Sequence, residues 1–234
     1  MHERIYTIPV NEAFDAAEND CPFCRLYKKL ENDEIDLILG ASMMDPDVRI
    51  RTNKTGFCDR HYAQMFVRNN RLQMALTLES HLIELQSDLK PGGMLSRDKG
   101  AKPADRIAKL QSTCYVCERI EDKISKMFVT AACLFNEENE FKNKFKAKKM
   151  ICLPHYRTLL QTAQSCLPKA GYAELCAEAD RIVSGYLKEL TGDISWFCKK
   201  FDYRFDAEPW GNSRDSVERA IRFLNGDTAL PKSK

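Results

Sequence analysis

Apolar residues recur every three or four positions along most of this chain, the spacing that gathers them on one face of an α-helix. In residues 22 to 39 the stripe is Phe23, Leu26, Tyr27, Leu30, Leu37 and Ile38, with Pro22 suited to a first turn. A matching stripe follows Cys114 through Val116, Ile120, Ile124, Met127, Phe128, Ala131 and Phe135. After Cys58 the positions Tyr62, Met65, Phe66, Leu72, Leu76 and Ile83 predict one long helix running towards Lys90, where Pro91-Gly92-Gly93 stops it. A shorter helix is expected from Cys152 to about Cys166, broken by Pro168 and Gly171. The clearest helical period then runs through Tyr172, Leu175, Cys176, Ala179, Ile182, Val183, Tyr186, Leu187 and Leu190. Asn212 or Ser213 would cap a last helix carrying Val217, Ala220, Ile221 and Leu224, ended near Gly226. Strict alternation is missing, although Asp47 to Thr52 reads as a short extended piece. The class is therefore mainly α.

Composition narrows the picture. The 234 residues are 44% hydrophobic and 30% charged, an ordinary balance for a folded chain. No run approaches the roughly 20 apolar residues of a spanning helix, so no membrane role is expected. The first twenty residues lack a basic start followed by an apolar block, which sets the cytoplasm as the expected location. A net charge of +2 gives the whole chain no electrostatic mandate to bind nucleic acid.

Ten cysteines change the picture most, because a reducing cytosol disfavours a disulfide framework. Eight of the candidate ligands fall in paired motifs: Cys21-x-x-Cys24, Cys58-x-x-His61, Cys114-x-x-Cys117 and Cys152-x-x-His155. A C-x-x-C is followed by a C-x-x-H twice, at nearly equal intervals, which marks an internal repeat. Phe57-Cys-Asp-Arg-His-Tyr62 also aligns with Ile151-Cys-Leu-Pro-His-Tyr156. Two ligands three residues apart at a helix start can converge on one ion, and a second pair completes a tetrahedron. Three thiolates and an imidazole suit zinc, and four protein ligands make a closed, structural site. Three other readings stay open: an iron–sulfur cluster, a redox-active C-x-x-C, and plain packing of buried thiols. Cys133, Cys166, Cys176 and Cys198 lack paired spacing and are expected to be small core residues.

Taken in chain order, each motif pair defines a lobe. Residues 1–90 would form the first Cys3His helical lobe, 91–105 a Gly- and Pro-rich linker, and 106–226 the second lobe with a helical extension. Residues 227–234 form a tail. Each of these two pseudo-repeated lobes would be clamped by its own metal.

Remaining features are weaker. The basic run 142–149 fits a solvated helix face, since Glu138 and Glu140 precede Lys142 and Lys144 by four residues. Arg49, Arg51 and Lys54 lie at the equivalent place in the first half, so an anionic partner is compatible with both. In the aromatic segment 196–212, Asp202, Tyr203, Arg204 and Trp210 could line a ligand pocket or interface, or simply seal packed helices. His81 has no second ligand four residues on and reads as a packed or surface histidine. No catalytic triad, phosphate-binding glycine loop or H-E-x-x-H helix is visible.

The opening IYTIPVNEAFD, then CPFC, GFCDRHY and the ending KKFDYRF-x-x-EPWGNS, resembles an uncharacterised bacterial family catalogued as a domain of unknown function. The likeness runs from about Ile5 to Leu224. It implies the same eight metal ligands and no established activity. The expectation is a non-enzymatic helical protein with two structural Zn2+ ions that binds a protein or an anionic ligand. The alternative is an iron–sulfur or thiol-redox protein.

Overall fold

In the computed structural model, residues 5–90 and 100–227 are described, and among them every regular element is helical. The α-helices are α1 (Thr7–Asp15), α2 (Pro22–Ile38), α3 (Pro46–Thr55), α4 (Asp59–Val67), α5 (Arg71–Asp88), α6 (Ala101–Ser112), α7 (Tyr115–Glu137), α8 (Asn139–Ala147), α9 (Leu153–Cys166), α10 (Lys169–Lys199) and α11 (Ser216–Asn225). Short 3-10 turns occupy Ala41–Met44, Tyr203–Phe205 and Gly211–Ser213. The mainly α class expected from periodicity is what the chain adopts.

Two compact units emerge, Met1–Lys28 with Ile124–Lys234, and Lys29–Lys123. The division falls inside α2 and α7, so neither unit is one continuous stretch of an apolar pattern.

The larger unit is organised by phenylalanines. Phe14 of α1 meets Phe141 and Phe145 of α8 at centroid distances of 4.8 and 5.6 Å, and Phe23 edge-on at 5.7 Å. Phe23 stacks on Phe128 at 4.1 Å, and Phe135 packs edge-to-face on Phe145 at 4.9 Å. All six rings are buried. Such pairs add about 0.5–1.5 kcal/mol each beyond the area they hide. Around them α10 packs on α9 and α11, burying Leu175, Ala179, Ile182 and Leu190.

The smaller unit buries Ile35, Ile38 and Leu39 from the end of α2, Val116 and Ile120 from α7, and Met65 from α4. Glu34 is enclosed with them at 1% exposure. Arg119, at 3.3 Å, and Lys123 both bind its carboxylate and so supply the partners a buried polar group needs.

Several local expectations give way to backbone chemistry. Residues 47–52 are helical, within α3, because Pro46 fits a first turn and the Asp45 carboxylate accepts the Asp47 N–H at 2.9 Å. The long helix expected after Cys58 is two helices, broken where Asn69 takes a left-handed conformation at φ 60°. The helix from Cys152 ends at Cys166 and Pro168 caps α10, as expected, but Gly171 does not break the chain: it lies inside the first turn of α10, where a Cβ would stand 2.1 Å from Asn136 Oδ1. Asp215, rather than Asn212 or Ser213, precedes α11. Of the four cysteines expected to be small core residues, Cys133, Cys166 and Cys176 are half-buried, and Cys198 is exposed and so is not one. Of the expected linker, residues 91–99 lie outside the described residues, and residues 101–105 open α6. The 227–234 tail is described only at Asp227.

Candidate metal centres

All four motifs sit at helix starts. Cys21 immediately precedes α2 and Cys24 lies in its first turn, as Cys114 and Cys117 do for α7. Cys58 and Cys152 are the residues that cap α4 and α9, which sets His61 and His155 one turn inside each helix. One helical turn separates the two side chains of every motif, so each pair points to a common spot.

The eight side chains meet in two groups of four: Cys21, Cys24, Cys152 and His155 in the larger unit, and Cys58, His61, Cys114 and Cys117 in the smaller. Within each group one donor atom per residue lies within 4.8 Å of all the others. Membership therefore differs from the chain-order expectation. The first C-x-x-C joins the second C-x-x-H, and the first C-x-x-H joins the second C-x-x-C. The reason is helix length. At about 1.5 Å per residue, the 17 residues of α2 carry the chain roughly 25 Å away from Cys21 before it turns. The 23 residues of α7 carry it roughly 35 Å from Cys114 before α8 and α9.

In the larger unit His155 Nδ1 lies 3.1 Å from Cys152 Sγ, 3.3 Å from Cys24 Sγ and 3.6 Å from Cys21 Sγ. Cys24 and Cys152 are 3.5 Å apart. In the smaller unit His61 Nδ1 lies 3.2, 3.3 and 3.5 Å from Cys114, Cys58 and Cys117, and Cys58 to Cys117 is 4.0 Å. A tetrahedron with metal–sulfur bonds of about 2.3 Å and metal–nitrogen bonds of about 2.0 Å has edges of about 3.8 Å between sulfurs and 3.5 Å from nitrogen to sulfur. Both groups fit around a single ion.

Backbone ties hold the distant motifs together. Lys149 N–H donates to Glu18 O at 2.9 Å, three residues before Cys152 and three before Cys21. Beside it Lys148, only 3% exposed, sends Nζ to Ala16 O at 2.6 Å and Ala17 O at 3.3 Å. Burial lowers its pKa from the usual lysine value. The run 142–149 is thus more than a solvated face. Lys142 pairs with Glu174 and Lys144 with Asp15 and Glu140, while Lys148 fastens α1's exit to the approach of Cys152. In the smaller unit Tyr115 N–H donates to Gly56 O at 2.9 Å and Thr113 Oγ1 to Thr55 O at 2.7 Å. Gly56 turns there at φ 68°, a conformation that favours glycine.

The surroundings of the two histidines differ. His61 Nε2 is 3.1 Å from Glu31 Oε1, and Arg60 binds the same carboxylate. A carboxylate on the outer imidazole nitrogen fixes the tautomer that leaves Nδ1 free for a metal. Burial opposes the charge on Glu31, but His61 and Arg60 outweigh it and lower its pKa. His155 instead lies beside the stacked rings of Phe23 and Phe128, at 6.0 and 5.8 Å. Glu31 and Arg60 escape a reading by motif. The signal for Glu31 is a carboxylate four residues from Tyr27 and seven before Ile38, on the stripe that should be apolar.

Electrostatically each group is built for a cation. Burial pushes the Cys21 thiol up to about 12, and Cys152 adds to it. Cys152 also rises to about 12, where Cys24 and burial outweigh the favourable hydrogen bond with Cys21. Burial raises Cys117 to about 12, helped by the charge on Cys114. Cys114 itself falls to about 6 and His61 rises to about 9, because their mutual contact overcomes the burial that disfavours both ions. Crowded sulfurs that hold protons in the absence of a counter-charge are the donors a metal ion displaces those protons from.

The other sequence candidates lie elsewhere. Asp202 and Arg204 pair with each other on the surface, and Tyr203 is 84% exposed. Trp210 packs on Phe197 at 5.8 Å. Lys200, 7% exposed, donates to Phe205 O at 2.5 Å, Asp206 O at 3.1 Å and Glu208 O at 2.8 Å, and Trp196 Nε1 donates to Pro209 O at 3.0 Å. These bonds make the aromatic segment a self-fastened turn. His81 is buried, with Nδ1 unpartnered among the described residues.

A family model described as a family of unknown function matches residues 1–230. No curated protein and no solved structure matches the chain.

Proposed function

The chain belongs to DUF6062, a family of unknown function, and from that premise we propose that it is a non-catalytic binding module, each of whose units is locked by one structural zinc ion. The observation that carries this is the closeness of the donors: four within 4.8 Å, twice. In a cubane iron–sulfur cluster each thiolate serves a different iron, and the sulfurs stand much farther apart. Donors this close suit one ion, and three thiolates with one imidazole suit zinc.

Four protein donors leave no open position for water or substrate, which supports a structural role. Zinc at such a site contributes on the order of 10 kcal/mol to folding, comparable to the stability of a whole domain. None of the ten cysteines is joined in a disulfide, which suits a reducing compartment such as the cytoplasm. No helix among the described residues is long and apolar enough to cross a membrane.

X-ray absorption at the zinc edge of anaerobically purified protein tests the reading. Three sulfurs near 2.3 Å and one nitrogen near 2.0 Å are expected per zinc. Iron in place of zinc, with a broad absorbance near 400 nm and acid-labile sulfide, would establish the redox alternative.

A further inference from the structure

We propose that a groove in the larger unit, beside Cys21 and Cys24, binds a small phosphorylated metabolite that also carries hydroxyl or amino groups. This deepens the binding-module reading and rests on it, but not on which metal fills the centres. The groove encloses about 750 Å³, within the range of about 300–1,000 Å³ typical of small-ligand sites.

Five cations and four carboxylates line it, an excess of one positive charge. Arg25 and Lys28 from α2 and Arg219 and Arg222 from α11 face it as two pairs, each three residues apart on one helix face, and Arg214 joins them. Three of the five are already engaged. Arg219 binds Asp215 at 3.0 Å and Asp193 at 2.8 Å, while Asp227 lies 3.4 Å from Arg222 and 3.8 Å from Lys28. Asp227 thus shows that an oxyanion can bridge α2 and α11 here.

Arg25 and Arg214 form no ion pair among the described residues, and Arg214 lies 5.8 Å from the Trp210 ring centre. Two guanidinium groups outside any direct ion pair can turn their paired N–H donors to the oxygens of a phosphate monoester. A monocarboxylate would neutralise only one. Asp20 and Glu189 line the same groove and form no direct ion pair among the described residues. They can accept from hydroxyl or amino groups on the body of the ligand. Met150 and Tyr186 supply little apolar surface, which disfavours a lipid-like occupant.

Isothermal titration of the metal-replete full chain with inorganic phosphate, a hexose phosphate, adenosine monophosphate and the unphosphorylated hexose tests this. Saturable binding of at least one phosphate monoester is expected, tighter than inorganic phosphate, with no binding of the free sugar. Arg25→Gln and Arg214→Gln should each weaken it about tenfold or more, while Arg204→Gln, outside the groove, leaves it unchanged. Metal content is measured on every preparation, and if Arg25→Gln loses metal through its neighbour Cys24, Arg214→Gln decides. Failure of both phosphate monoesters to bind wild-type protein that holds two zinc ions overturns the proposal and leaves the zinc reading standing. Binding that Arg214→Gln retains in full overturns it as well. Iron in the preparation, with phosphate-ester binding intact, overturns the zinc reading alone.

Discussion

At the scale of single residues, the two centres differ in what stands behind the histidine. Glu31 holds His61 from its outer nitrogen, whereas His155 packs beside a stacked pair of phenylalanine rings. Outer-shell partners of metal-bound histidines affect metal affinity by about 10- to 100-fold. Glu31→Ala should therefore weaken one of the two metal sites by that range in a chelator competition and leave the other unchanged. Equal weakening of both, or of neither, would contradict the assignment. Protons give a second handle. Cys21, Cys117 and Cys152 are pushed up to about 12, so they hold protons at neutral pH and must release them to a metal. Apparent metal affinity should rise with pH through the neutral range, and titration in a weakly buffered solution should show proton release. A pH-independent affinity would count against thiolate ligation.

At the scale of elements, sequence periodicity and structure agree where a helix packs one face and part where backbone chemistry decides. The stripes on α2 and α7 are legible because burial follows the helical period. The break at Asn69 is not, because a single left-handed residue leaves the apolar pattern of α4 and α5 in register for one longer helix. The C-x-x-C and C-x-x-H spacings are legible for the same local reason, since each reflects one helical turn. Lys148 is the opposite case: a lysine in a basic run, buried by contacts more than 130 residues away in sequence. Replacing it with methionine leaves the Ala16 carbonyl without its donor, while Ala17 O keeps the Asp20 N–H, and should cost about 1–3 kcal/mol in denaturant unfolding. Metal should also be lost faster from the Cys21 centre. Phe145, fully buried between Phe14 and Phe135, should cost about 3–5 kcal/mol when truncated to alanine. An effect under 1 kcal/mol would mean that the aromatic cluster does not organise the larger unit.

At the scale of the whole molecule, the grouping of ligands is the feature that local reading could not supply. Both halves of the chain offer a C-x-x-C and a C-x-x-H at nearly the same interval, so chain-order and crossed pairings use identical motifs. Only the lengths of α2 and α7, and the ties of Glu18 to Lys149 and Gly56 to Tyr115, select between them. The consequence is that the larger unit is closed by residues from both ends of the chain, while the smaller is formed by its middle.

Metal content of two double variants tests this arrangement most directly. Cys24→Ser with Cys152→Ser removes two ligands from one centre and should leave one zinc per chain, because Cys58, His61, Cys114 and Cys117 are untouched. Cys24→Ser with Cys58→Ser strikes both centres and should leave none. The reverse result, zinc lost from the first variant and one equivalent kept by the second, would contradict the crossed grouping and restore a separate centre for each half of the chain.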